Sequence, residues 1–61
     1  MFQVFYTNFN YYDDKYFNTL NEAITHGKLK GYEFTVYESG KLVGVCEGVT
    51  LSWKPAQFLT E

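Results

Sequence analysis

Asn18-Thr19-Leu20-Asn21-Glu22-Ala23-Ile24-Thr25-His26-Gly27-Lys28-Leu29-Lys30-Gly31 is the one segment with a helical start, a helical period and a helical stop. Thr19 and Glu22 stand in the S/T-x-x-E spacing of a capping box. In that motif the hydroxyl accepts from the Glu22 amide and the carboxylate returns to the Thr19 amide. Glu22 suits the positive end of the helix dipole, and Lys28 and Lys30 suit the negative end. Gly31 is placed to take the left-handed conformation that closes many helices. Together these signals predict a helix from Leu20 to about Lys30. Its apolar stripe is Leu20, Ala23, Ile24 and Gly27, at i, i+3, i+4 and i+7. Gly27 and Gly31 share that side, so the helix can approach a sheet closely, with a bulky aromatic filling the space. The same two glycines match a membrane-helix pairing motif, but that motif needs a long apolar segment, and two lysines lie between them here. Leu29 points away from the stripe. It reads either as a lone exposed leucine or as the edge of a partner surface.

Upstream, residues 2–7 (Phe-Gln-Val-Phe-Tyr-Thr) read as a strand. Phe2, Val4 and Tyr6 form its core face, and Phe5 stands on the side where a small antiparallel sheet meets water. Residues 8–18 hold five of the chain's thirteen aromatics. Asp13-Asp14 reads as a turn, with Tyr11-Tyr12 and Tyr16-Phe17 as a short ribbon arm. These rings either all cap the core, Phe17 first, or leave Tyr11, Tyr12 and Tyr16 as a contact surface. Tyrosine mixed with asparagine is the composition of adaptable binding surfaces.

Downstream, residues 32–37 alternate. Tyr32, Phe34 and Val36 face the helix, and Glu33, Thr35 and Tyr37 face out. Glu38-Ser39-Gly40-Lys41 is a hairpin turn. A three-residue loop with Gly40 left-handed puts Leu42, Gly44 and Cys46 on the core side, with Gly44 beneath the helix. A two-residue Ser39-Gly40 turn reverses those assignments. Glu47-Gly48 marks a bend, and residues 49–53 either continue that strand or form a fourth. Pro55 gives no amide donor and ends pairing. Residues 55–61 are left as a tail, with Phe58 and Leu59 docked or open to a partner.

The pattern predicts an α+β fold, a single β-α-β-β domain over residues 1–54. One helix packs on a three-stranded sheet, or a four-stranded one if 49–53 pairs separately. The helical crossover implies that the first two strands, 2–7 and 32–37, run parallel with the third between them, an order of 1-3-2.

Sixty-one residues make one domain, and a chain of this size buries only about 60% of its unfolded surface. With one cysteine no internal disulfide can form. The core is therefore marginal, and some aromatics are expected to pack across a homodimer interface. Cys46 alone points to a reducing, cytoplasmic setting and reads as a small buried apolar residue. Met-Phe-Gln-Val lacks the basic-then-apolar pattern of a signal peptide, and no segment reaches membrane-spanning length. The net charge of −2, with five lysines and no arginine, argues against double-stranded DNA as a partner, because duplex binders carry a basic face.

No catalytic, cofactor or metal constellation is visible. His26 has no second His or Cys at metal spacing, and Asp13 and Asp14 lack the oxygen ligands of a calcium loop. A Cys46–His26 dyad has no orienting third group. The five glycines are scattered and form no phosphate loop. The chain is expected not to be an enzyme.

One resemblance can be stated on these residues. It joins an aromatic first strand, the Thr19-Leu20-x-Glu22-Ala23-Ile24 helix start, Gly31-Tyr32-x-Phe34-x-Val36-Tyr37 and the Gly40-Lys41-Leu42-Val43 hairpin. Over Phe2 to about Val45 this combination looks like small uncharacterised bacteriophage proteins. It implies a context, in which short phage proteins bind and inhibit a host enzyme or defence component in the host cytoplasm. It carries over no functional residue.

The expected function is thus non-enzymatic occlusion of a host protein, with Phe5, Tyr11, Tyr12, Tyr16, Tyr37 and Trp53 as contact residues. Two alternatives stand beside it. One is a binder of single-stranded nucleic acid through stacked tyrosines. The other is a purely structural homodimer subunit.

Overall fold

The computed structural model describes residues 1–58; Leu59, one of the two apolar tail residues, lies outside them. Five strands and one helix follow in the order β1 (Phe2–Tyr6), β2 (Tyr11–Phe17), α1 (Leu20–Lys30), β3 (Phe34–Glu38), β4 (Lys41–Glu47) and β5 (Ser52–Pro55). A 3-10 turn at Ala56–Phe58 comes last. The strands form one sheet in the order β2-β1-β3-β4-β5, with every neighbouring pair antiparallel. The fold is α+β, with five strands where the sequence suggested three or four.

The helix forms where its local signals place it. Thr19 is the N-cap, and its hydroxyl accepts from the Glu22 amide at 3.1 Å. The Glu22 carboxylate accepts from the Asn18 amide at 3.3 Å, one residue earlier than the expected Thr19. Gly31 closes the helix at φ 79° and donates its amide to the Lys28 carbonyl. Ala23 and Gly27 are the helix's buried residues. The notch at Gly27 is filled by the Phe34 ring, which a Cβ at that position would overlap. Helix and sheet thus meet at the closest approach that a missing side chain permits.

Residues 8–18 differ most from expectation. Asp13 and Asp14 lie inside β2, not in a turn. The turn comes earlier, at 7–10, where the Phe9 and Asn10 amides both bond to the Tyr6 carbonyl and Asn10 is left-handed at φ 57°. This extra hairpin reverses the chain before the helix begins. The order 1-3-2 is therefore corrected: β1 and β3 are direct antiparallel neighbours. The crossover does join two parallel strands with a third between them, but they are β2 and β3, flanking β1.

The β3–β4 hairpin has the two-residue turn. Glu38 pairs with Lys41, and Ser39 and Gly40 take φ 51° and 83°, as a type I′ turn requires. Taken alone, that turn would send Gly44 and Cys46 outward. The register then shifts, with Val36 opposite Gly44 and Tyr37 opposite Leu42. Val43 is the extra residue of a β-bulge, which restores the parity. Gly44 and Cys46 are buried as expected, whereas Leu42 moves to the open side. Gly44 lies against Trp53, whose ring comes within 2.6 Å of where a Cβ would stand.

β5 extends the sheet to Pro55, opposite Gly44, so the ordered structure runs past the expected tail boundary. The core under the helix is Val4, Tyr6, Ala23, Phe34, Val36 and Cys46, rimmed by Phe2, Phe17, Leu20, Ile24, Val43, Leu51 and Trp53. Tyr32 lies before β3 and meets the Tyr6 ring edge-on at 6.1 Å on the expected side, but it is exposed.

Candidate functional site

The helix covers one side of the sheet, the 3-10 turn Ala56–Phe58 lies against β4, and the side away from the helix is the open side. Strand pairing assigns the residues that share this open side. Tyr16 pairs with Gln3, Gln3 with Tyr37, and Tyr37 with Leu42. One row along, Tyr12 pairs with Phe5, Phe5 with Thr35, Thr35 with Val45, and Val45 with Lys54. Phe5, Tyr12, Tyr16 and Tyr37 thus converge from three strands. The Phe5 and Tyr12 ring centroids are 4.8 Å apart, and those of Tyr12 and Tyr37 are 6.1 Å apart. Gln3 Nε2 donates to the Tyr16 hydroxyl at 3.2 Å. Thr35, flanked by Phe5 and Val45, is only 6% exposed although no helix covers it. The rings therefore already pack into a layer. Tyr12 and Tyr16 remain 47% and 59% exposed.

Lys54 ends the Phe5-Thr35-Val45 row at one margin of this face. Lys54 Nζ bonds Glu47 Oε2 at 2.9 Å, so the lysine is answered within the fold. The aromatic half consists of rings, hydroxyls and one amide.

The remaining two expected contact residues lie elsewhere. Tyr11 turns to the helix side, 5.5 Å from the Tyr6 ring, and stands half exposed on the outer strand. Trp53 pairs with Cys46, and its ring lies against Gly44 at the rim of the core. Trp53 is a packing residue on the covered side and does not join the open-face cluster.

The covered side holds a polar cluster that sequence reasoning missed. Tyr6 from β1 donates its hydroxyl to Asp13 Oδ2 at 2.5 Å. His26 Nε2 from α1 lies 2.8 Å from the same oxygen. The Lys15 amide donates to Asp13 Oδ1 at 2.9 Å. An ionised carboxylate only accepts, so the His26 Nε2 carries the proton directed at it. Burial would raise the Asp13 carboxyl, but its three donors, the Tyr6 hydroxyl, the Lys15 amide and His26, outweigh it and hold it below its ordinary value. The Tyr6 hydroxyl is pushed well above the usual phenol range by burial and then by its bond to Asp13. His26 also packs on Phe17, with centroids 4.9 Å apart. The only hint in the sequence was the Asn8-Phe9-Asn10 loop between two aromatic runs, a hairpin signal that would have placed Asp13 on a strand.

The cluster is a network of hydrogen bonds among Tyr6, Asp13, His26 and the Lys15 amide. Cys46, the other half of the dyad considered from sequence, is buried in the core, and burial pushes its thiol upward despite the partly opposing charge of Lys28. Among the described residues no three His, Cys, Asp or Glu side chains are grouped to hold a metal ion. No helix among them is long and apolar enough to cross a membrane. An open groove of about 480 Å³ runs beside the helix, lined by Phe17, Thr25, His26 and Leu29 among others. Leu29, 82% exposed, forms its edge.

No family model, curated protein or solved structure matches this chain.

Proposed function

We propose that this protein is a non-enzymatic binder that occludes a site on another protein with the open face of its sheet. The observation that carries the reading is the convergence of Phe5, Tyr12, Tyr16 and Tyr37 on the side of the sheet away from the helix. An antiparallel sheet can leave one face in water, and such a face ordinarily alternates to polar side chains. Here it presents rings with hydroxyl tips, the residue type that supplies rigid contact area at low entropic cost. The resemblance to phage proteins supplies the context: a host enzyme or defence component, met in the host cytoplasm.

Size sets the form of the complex. Five strands about 4.8 Å apart, each about six residues long at about 3.3 Å per residue, give a face of roughly 500 Å². A standard interface takes about 800 Å² from each partner. A partner that covers the face therefore also reaches its rim, where Tyr11 stands on the outer strand.

The test is affinity capture from a bacterial host lysate, with and without nuclease, using the wild type and a Tyr12→Ser/Tyr16→Ser variant. The expected result is one stoichiometric protein that survives nuclease and is lost with the variant. Recovery of nuclease-sensitive nucleic acid would replace this reading with the single-strand binder. Self-association in size-exclusion chromatography, abolished by the same variant and without any other protein recovered, would replace it with the structural homodimer.

A further inference from the structure

β2 is weakly held for a strand of seven residues. It is an outer strand, and only Asp13 and Phe17 in it are even partly buried. Its ladder to β1 is interrupted: Tyr11 and Tyr12 pair with Tyr6 and Phe5, Tyr16 and Phe17 pair with Gln3 and Phe2, and the register shifts between. Val4 in the gap faces 13–15, three residues against one. A ladder broken in its middle cannot hold that middle by backbone pairing.

Asp13 sits in the gap. Its carboxylate takes the Tyr6 hydroxyl from β1, the His26 ring from α1 and the Lys15 amide from its own strand. Among the described residues it is the side chain whose hydrogen bonds tie the unpaired middle of β2 to both other elements. Its carboxylate is only 9% exposed, so the bonds are shielded from competing water. The other charged groups around it are Asp14, Lys15 and Lys30, which line the same outer hollow with Tyr11. The same strand carries Tyr12 and Tyr16 on its opposite side.

From this geometry we infer that β2 is a strap that opens separately from the rest of the sheet, held shut by the Asp13 clasp. Opening it dismantles the half of the open face that holds Tyr12 and Tyr16 while leaving β3, β4 and β5 paired. The clasp is a positioning device: Asp13 touches nothing on the open face and acts by fixing the strand that bears those rings. The inference concerns the free protein and does not rest on the proposed binding role.

Amide hydrogen exchange followed by NMR tests it. The wild type is compared with Asp13→Asn, which keeps the size but places an amide group against the donors, and with Tyr6→Phe, which removes one donor of three. The expected result is that wild-type β2 amides are at least about tenfold less protected than β3 and β4 amides, and that β2 exchange rises at least about tenfold in Asp13→Asn and by a smaller factor in Tyr6→Phe. Wild-type β2 amides protected as strongly as those of β3 and β4 would show that the cluster belongs to the global core and that no separate strap exists. Unchanged β2 exchange in both variants would show that the clasp holds nothing. Should Asp13→Asn fail to fold, low β2 protection in the wild type with faster β2 exchange in Tyr6→Phe still supports the strap.

Discussion

Phe34 and Phe5 stand on neighbouring strands of one sheet, on opposite sides. Phe34 is buried, and its ring occupies the notch that Gly27 leaves in the helix. Phe5 is half-buried, and its ring meets Tyr12 at the open face. The same side chain closes a core in one place and paves a surface in the other. What differs is the layer above: the helix, with its small residues, lies over one side only. Stability should therefore depend on the covered side and recognition on the open side, and substitutions can separate the two.

The largest effect is expected from Phe34→Ala. It empties the helix–sheet junction and should cost about 3–5 kcal/mol, as for other buried phenylalanines. Small domains hold about 5–15 kcal/mol in total, so the variant should lose most of its cooperative transition. Urea unfolding followed by circular dichroism measures this. A loss under about 1 kcal/mol would mean that the helix does not depend on this contact.

Gly44→Ala comes next. A Cβ there would lie 2.6 Å from the Lys54 carbonyl oxygen and 2.6 Å from the Trp53 ring. The carbonyl belongs to the backbone of β5, so the strand itself must move. Overpacking of this kind costs about 1–3 kcal/mol. Trp53 is the sole tryptophan, and its fluorescence should shift to the red as the ring is displaced. Unchanged emission and midpoint would break the assignment of Trp53 to the covered side.

The two sides were not equally legible in the sequence. The helix could be read to the residue because its caps are local: Thr19, Glu22 and Gly31 act within a few positions of themselves. The notch at Gly27 was legible for the same reason, since helical period alone puts it on the inner stripe. β2 was not. Asp13-Asp14 is a turn signal when judged by neighbours, and its partners, Tyr6 and His26, lie seven and thirteen residues away. Tertiary hydrogen bonds overrode local preference there. The β3–β4 hairpin failed and recovered by a similar route. The two-residue turn inverted the faces and the bulge at Val43 inverted them back, so Gly44 and Cys46 fell where a different turn had put them. Phe5 and Tyr37 share the open face because period two is simple to follow on β1 and β3, whereas Tyr12 and Tyr16 join them through a β1–β2 pairing that local signals did not show. Tyr11 and Trp53 do not, because their strands had no secure register.

Asp13→Asn should have a smaller effect than the two core changes, and one that depends on pH. Removing a charged partner from buried donors costs about 1–3 kcal/mol. A carboxyl whose folded value is held below its unfolded value, near 3.9, adds stability that is fully present above that value and is lost as pH falls through the folded one. The wild type should therefore weaken below about pH 4, and its advantage over Asp13→Asn should shrink across that window. Urea midpoints at pH 3, 4, 5 and 7 check this. An advantage that persists undiminished at pH 3 would remove Asp13 as the titrating anchor.

The smallest effect on stability should accompany the largest effect on binding. Tyr16 is more than half exposed, and its hydroxyl accepts from Gln3 at the surface. Tyr16→Ser should change stability by no more than about 0.5 kcal/mol, as for surface positions generally. Tyr12→Ser and Tyr37→Ser should cost somewhat more, since each loses an aromatic neighbour worth about 0.2–1 kcal/mol. If the open face is the recognition surface, all three variants should keep the wild-type spectrum and a cooperative melting transition and still fail to retain whatever protein the wild type captures. If they unfold instead, the rings are core that merely lacks a helix above it, and the distinction between the two faces disappears. If they stay folded and keep the partner, binding lies elsewhere, and the groove between Phe17 and Leu29 on the helix side becomes the surface to mutate.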